Sequence, residues 1–346
     1  GVGATFLLGA GKSVAVGALV AVAAGEAVAY PLKDGRVVDT VSAPVYMLGG
    51  GSAGALGGLL MGAEASVAVT LGFFASLAAG TARSLDSSLW LTVVVGAVGA
   101  WVASAVGATA SAPVLVVAAI GVAALGGAAN LGDVMTVSGA SAGAFLSYVV
   151  LVAGGVGWFF VLGVFVATGA ATTAYGREEK TEMGLAEHTE GRGFENVAAN
   201  GTVALTSAVV YAAAPGTTVE LAASFAFVGC MATAAADTAS SEIGTVTGYP
   251  RLITTFESVP PGTDGGVSWQ GEVVTVVAVT VVGTASVVFG VLNPSGAFVA
   301  AFAGLVGAHV DSVLGATVEG RYLGNSGVNF SACTTGAVVA ASFAFL

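Results

Sequence analysis

Charge is what this sequence has least of. Only 8% of its 346 residues are Asp, Glu, Lys or Arg, against about 25% in soluble domains. So few charges cannot cover a water-facing surface. Lysine is the scarcest: Lys12, Lys33 and Lys180 are the only three among nine basic residues. With twenty acids the net charge is -11, and no basic patch exists. That excludes nucleic acid as a partner. The two cysteines, Cys230 and Cys333, sit in separate apolar runs without CxxC or Cys/His spacing. This excludes a disulfide framework and a zinc site, and reads as two buried, inert thiols. His188 and His309 are single and mark no metal cluster. There is no GxxxxGK[ST] loop and no protein-kinase signature set.

What is there instead is apolar. Hydrophobic residues make up 56% and mean hydropathy is +0.93. Runs of about 20 residues, the length that spans a bilayer as helix, recur to Leu346, so a signal peptide does not explain them. They fall at 4–30, 41–62, 64–82, 88–109, 112–131, 134–153, 155–175, 196–214, 218–238, 273–292, 296–314 and 326–346. The expected fold is all-α: a polytopic, multi-pass integral membrane bundle of about 12 transmembrane helices. The 53 glycines suit close helix approach in lipid, and the row Gly50, Gly54, Gly58 predicts tight packing within the chain. Acidic loops with little lysine give a halophile-like composition. Residues 1–131 hold little that can do chemistry and read as an accessory scaffold. Residues 132–346 carry the polar motifs.

The polar residues gather in islands. Arg192, Asn196 and Asn200 follow one another at helical spacing and share a face. Buried amides need partners, so they are either helix–helix glue or a site wall. The stretch 237–272 concentrates Asp237, Glu242, Arg251, Glu257, Asp264 and Glu272. Ionisable groups so placed in a membrane chain point to chemistry or ion movement. Asp237, Ser240 and Ser241 share a helix face, and Glu242 is within reach if the helix ends near Gly244. Carboxylates and hydroxyls there suit Mg²⁺, which takes one or two carboxylates plus substrate phosphates. The turn formed by Gly262, Thr263, Asp264, Gly265, Gly266, Val267 and Ser268 precedes an apolar run and can aim backbone N–H groups at an anion. Arg251 can pair with phosphate oxygens. Asp311 is a further acid that needs a partner in lipid, and Asn329 opens the last run. Two runs separate each neighbouring pair of the loops 176–195, 245–272 and 315–325. They are therefore expected on one side, and their arginines make that side cytoplasmic.

Five of these elements, in this order, resemble one membrane family. They are Arg192-Gly-Phe-Glu-Asn196-Val-Ala-Ala-Asn200-Gly, Asp237-Thr-Ala-Ser-Ser-Glu242-Ile-Gly, Gly262-Thr-Asp-Gly-Gly-Val-Ser268, Asp311-Ser-Val-Leu-Gly-Ala-Thr317 and Gly327-Val-Asn329-Phe. The family includes the plant phytyl phosphate kinase and the animal transmembrane-protein-19-like proteins, and the likeness covers about residues 133–346. It implies phosphoryl transfer from a nucleoside triphosphate to an isoprenyl monophosphate, giving the diphosphate. Kinship with CTP-using polyprenol kinases favours CTP. The implied roles are Mg²⁺ on Asp237, Glu242 and Asp311, nucleotide phosphates on the glycine turn and Arg251, and a phosphate on Arg192. Asn196, Asn200 and Asn329 would orient these groups. Two other functions fit the same residues: a cation-coupled transporter and a lipid-phosphate cytidylyltransferase, which the family's kin include.

Overall fold

The computed structural model describes residues 12–29, 36–85, 96, 111–132, 134–185 and 192–346. These form helices α1 (Lys12–Ala29), α2 (Arg36–Leu60), α3 (Ala65–Ser84), α4 (Ala112–Leu131), α5 (Val137–Gly154) and α6 (Val156–Ala174). Then follow α7 (Arg177–Glu182), α8 (Phe194–Ala213), α9 (Thr218–Thr247), α10 (Trp269–Val288), α11 (Pro294–Thr317) and α12 (Asn325–Ser342). A two-residue antiparallel pair, β1 (Arg251–Leu252) and β2 (Gly266–Val267), lies between α9 and α10.

Among the described residues, eight helices are long and apolar enough to cross a membrane: α3 to α6 and α9 to α12, the last counted with its 3-10 extension to Phe345. Of the other expected spans, α1 is apolar only over Val16–Ala29, which is short. Helices α2 and α8 have the length, but Gly, Ser, Thr and Asn dilute their hydropathy. The run 88–109 lies outside the described residues. The multi-pass helical membrane fold is thus as the sequence predicts.

The chain forms two compact units: Gly1–Ala153 with Glu190–Val197, and Gly154–Thr189 with Ala198–Leu346. This division by packing falls between α5 and α6. In the first unit α3 is the inner helix, with 83% of its apolar window buried. The glycine row of α2 does what the sequence predicts. A Cβ on Gly54 would lie 2.7 Å from Ala21 of α1 and 3.0 Å from Gly72 of α3.

In the second unit α9 is the inner helix. Its apolar window is 78% buried, against 22–44% for α6, α10, α11 and α12, all of which pack on it. It is Ala-rich, and Thr233 marks its tightest point. A Cβ on Gly307 of α11 or on Gly336 of α12 would strike the Thr233 hydroxyl. Two neighbours can share that point only because neither has a side chain there. Thr233 itself is fully buried, and its Oγ1 donates to the Gly229 carbonyl at 2.9 Å, so its polar group is satisfied within the helix.

Caps set where the flanking helices start. Ser268 Oγ accepts from Gly271 N at 3.1 Å at the head of α10. Asn293 Oδ1 accepts from Gly296 N at 2.8 Å at the head of α11, followed by Pro294 at its first turn.

Gly307→Val and Gly336→Val are expected to destabilise the second unit by about 1–3 kcal/mol or more through overpacking. Gly163→Ala on α6, where a Cβ meets nothing within 4 Å, is expected to be neutral or slightly stabilising. Thermal unfolding midpoints in detergent compare the three.

Candidate functional site

The polar residues of the second unit meet in a cleft of about 190 Å³. One wall is the last turns of α9, with Asp237, Ser240 and Ser241. Both serine hydroxyls donate to the Asp237 carbonyl, at 3.1 and 2.8 Å, so their lone pairs remain free to accept.

The second wall is the glycine turn. Thr263 Oγ1 donates to the Pro260 carbonyl at 2.7 Å, and Gly266 N to the Thr263 carbonyl at 2.9 Å. The turn leans on the end of α11. Gly265 has φ +71°, and a Cβ there would come within 2.6 Å of the Ser312 carbonyl. Only glycine meets both conditions. Two of the turn's N–H groups, Thr263 and Gly266, are used inside it, so it offers an anion fewer donors than the sequence suggests.

The remaining walls are α10, α11 and α12. Asp311 of α11 approaches Asp237 within hydrogen-bonding reach. Asp311 Oδ1 is shut off from solvent and has no hydrogen-bond partner. Glu319, just past α11, has its carboxyl pushed up by burial, and the Asp264 and Asp237 charges add to that. Glu272 of α10 pairs with His309 of α11 at 3.2 Å. Asn325 and Asn329 come from the first turns of α12. Five carboxylates line the cleft against one imidazole, and no lysine or arginine is among the described lining residues. Two helices, α10 and α12, begin at it, so two positive dipole ends meet the carboxylates.

Of the residues expected in a site, the cleft gathers Asp237, Gly262, Thr263, Asp264, Gly265, Gly266, Ser268, Asp311 and Asn329. Ser268 serves mainly as the α10 cap. Glu242 is placed elsewhere. Helix α9 continues through Gly244 to Thr247, so five residues carry Glu242 about 140° around from Asp237. Its Oε2 meets Lys180 Nζ at 2.6 Å and its Oε1 accepts from Thr173 Oγ1 at 2.8 Å. Arg251 is also elsewhere, its Nη1 donating to the Phe256 carbonyl at 2.9 Å within the loop. Asn200 Oδ1 faces Cys333 Sγ at 3.6 Å, the glue alternative. Arg192 and Asn196 belong to the first unit, where Arg192 backbone groups bond to Val134 and Thr136. Glu272, His309 and Glu319 went unassigned in the sequence, because nothing there joins residues of different helices. Residues of the loops 176–195, 245–272 and 315–325 come into contact. A Cβ on Gly262 would touch Leu185 at 2.8 Å, and Gly265 abuts Ala316.

Lys180 is 3% exposed, and its remaining donors go to the Thr172 and Thr173 carbonyls at 3.2 and 3.3 Å. Lys180→Ala strands Glu242 in a buried place and is expected to cost about 3–5 kcal/mol. Lys180→Met with Glu242→Leu removes both charges and is expected to recover most of that loss in detergent melting curves.

Residues 119–337, which contain the whole cleft, match the family described as integral membrane protein DUF92. An uncharacterized membrane protein of Synechocystis is 30% identical over 197 residues, 55% of this chain and 76% of the relative. Protein PGR of Arabidopsis thaliana is 31% identical over 209 residues, 54% and 72% of the two chains. Protein VTE6, chloroplastic, of the same plant is 28% identical over 214 residues, 60% and 64%. No solved structure matches the chain. The chain belongs to the DUF92 family of integral membrane proteins.

Proposed function

We propose that this chain is a membrane-embedded, Mg²⁺-dependent phosphotransferase. It moves a phosphoryl group from a nucleoside triphosphate, with CTP favoured, to an isoprenyl monophosphate such as phytyl phosphate. The observation that carries the reading is the composition of the cleft: paired carboxylates, a glycine turn and two helix N-termini at one end of a lipid-embedded bundle. The resemblance to the phytyl phosphate kinase family supports the choice of acceptor.

Electrostatics decide how phosphate can sit there. At an effective dielectric of 20, two unit charges 4 Å apart interact by about 4 kcal/mol. A polyphosphate therefore enters a five-carboxylate cleft only with cations. Asp237 and Asp311 fit Mg²⁺: two carboxylates side by side, with one buried oxygen lacking a partner. Mg²⁺ is satisfied by one or two carboxylates plus phosphates and water, so Glu242 is not needed. Bound there, Mg²⁺ would neutralise charge on the transferring phosphoryl group. The chain's own part is positioning. The head of α12 and the glycine turn receive phosphate oxygens, and Asn325 and Asn329 orient them. The acceptor phosphate is already an oxyanion at neutral pH, so no strong general base is required. Arg177, Lys180, Arg251 and Arg321 lie in the loops at this end, which favours a cytoplasmic cleft.

The carboxylate excess without lysine or arginine also favours a second reading, a cation-coupled transporter. One assay separates them: purified protein with Mg²⁺, CTP and phytyl or geranylgeranyl monophosphate, products read by mass spectrometry. Lipid diphosphate with CDP is expected, and CDP-lipid with pyrophosphate would make it a cytidylyltransferase. No product with CTP or ATP across prenyl lengths overturns the enzyme reading, and ion-dependent uptake into liposomes would then support transport. Asp237→Asn and Asp311→Asn are each expected to lower turnover at least about 100-fold, roughly 2.7 kcal/mol. Arg251→Ala, which removes only a loop contact, is expected to leave turnover little changed.

A further inference from the structure

Glu272 and His309 line the cleft, and both side chains are half exposed, at 43% and 48%. Their contact joins α10 to α11 through side chains at the cleft end of the seam. Further down, backbone closes the same seam: a Cβ on Gly283 of α10 would lie 3.2 Å from the Ala297 carbonyl of α11. The cleft end, held by a side-chain pair, is the end that side-chain motion can open.

The residues at that end suit headgroup depth. Glu272 is in the first turn of α10, beside Trp269, which is 72% exposed; exposed tryptophan favours the membrane interface. Below the ion pair the outer surface is apolar. Val276 follows Glu272 by one turn, and Phe302 and Phe298 precede His309 by two and three turns, all of them exposed. The His309 ring is held in place by Leu305, whose carbonyl lies 2.8 Å from Nδ1. Among the described lining residues it is the one side chain able to carry positive charge in the cleft wall. When Glu272 swings away, an anion can take its place on Nε2.

We propose that the α10–α11 seam, latched by Glu272 and His309, is the lateral portal through which a single-chain lipid phosphate reaches the cleft from the bilayer. Its phosphate exchanges with Glu272 at His309, and its tail stays along Val276, Phe302 and Phe298. The proposal rests on the phosphotransferase reading for the identity of the lipid, and it deepens that reading.

The test is a Glu272→Cys/His309→Cys protein bridged by a short bis-methanethiosulfonate reagent that dithiothreitol reverses. Wild type, whose two cysteines are buried, serves as the reagent control. Bridging is expected to lower turnover of geranylgeranyl monophosphate in liposomes about tenfold or more. Turnover of water-soluble dimethylallyl monophosphate should change little, and reduction should restore the first rate. Equal loss of both substrates, or loss of neither, overturns the portal. A second measurement does not need turnover: photolabelling by an isoprenyl monophosphate with a diazirine in its tail. Label on peptides holding Val276, Phe298 or Phe302, lost on bridging, supports the portal, and label confined to other helices overturns it. If wild type turns over neither substrate yet is labelled along this seam, the chemistry assigned to the cleft fails while the portal stands.

Discussion

The contact on which the second unit depends is the one at Thr233. Three helices come together there because Gly307 and Gly336 present no side chains. One turn further along α9 is Asp237, and one turn further along α11 is Asp311. A turn is about 5.4 Å, so the tightest packing in the unit lies just beneath the two carboxyl groups. Close-packed interiors transmit strain because they cannot deform continuously. The spacing of Asp237 and Asp311 is thus set by glycines that never touch the cleft. The same crossing delivers Asn329, from the opening turns of α12, to the opposite wall.

Positive charge is distributed as sparingly as its scarcity requires. Lys180 is spent on Glu242 and two carbonyls, which fastens the 176–185 segment beside the end of α9. Leu185 from that segment then supports Gly262 of the glycine turn. Arg251 closes its own loop, and Arg321 stacks on Tyr322 with its guanidinium 4.9 Å from the ring. None of these cations lines the cleft. The cleft is left acidic, and whatever anion it accepts must arrive with counterions or be met by helix dipoles and His309.

Much of this was legible in the sequence. Apolar run length marks the spans, because lipid demands about 20 residues of helix whatever the tertiary fold. Residues of the three polar loops touch in the structure, Leu185 near Gly262 and Ala316 near Gly265. The order of acids, glycines and amides identified the cleft's main residues. What failed depended on where a helix stops and which way a side chain then faces. Glu242 belongs beside Asp237 if α9 ends at Gly244, but glycine permits a helix end without forcing it, and the helix runs three residues further. Arg251 was expected to bind an outside phosphate because a carbonyl from its own loop, that of Phe256, leaves no trace in the pattern. The pair of Glu272 with His309 joins two helices, and no local spacing encodes that.

The depth of the carboxyl pair bears on the choice between transport and catalysis. Asp237 lies 19 residues into α9, roughly 30 Å from its start at 1.5 Å per residue, and the hydrocarbon core is about 30 Å thick. Asp311 is similarly near the end of α11. Both therefore lie past the middle of their helices, toward the end where the remaining walls are helix beginnings and a loop. Transporters place their ion sites near the midplane, between broken helices, whereas α9 and α11 run unbroken past their acids. A site toward one end of the spans suits the proposed reaction between partners of opposite habit, one dissolved in water and the other anchored by its tail. For the phosphotransferase proposed above, a carboxylate-rich cleft with a glycine turn and helix N-termini among its walls would let a soluble nucleotide and a lipid phosphate meet without either leaving its own solvent.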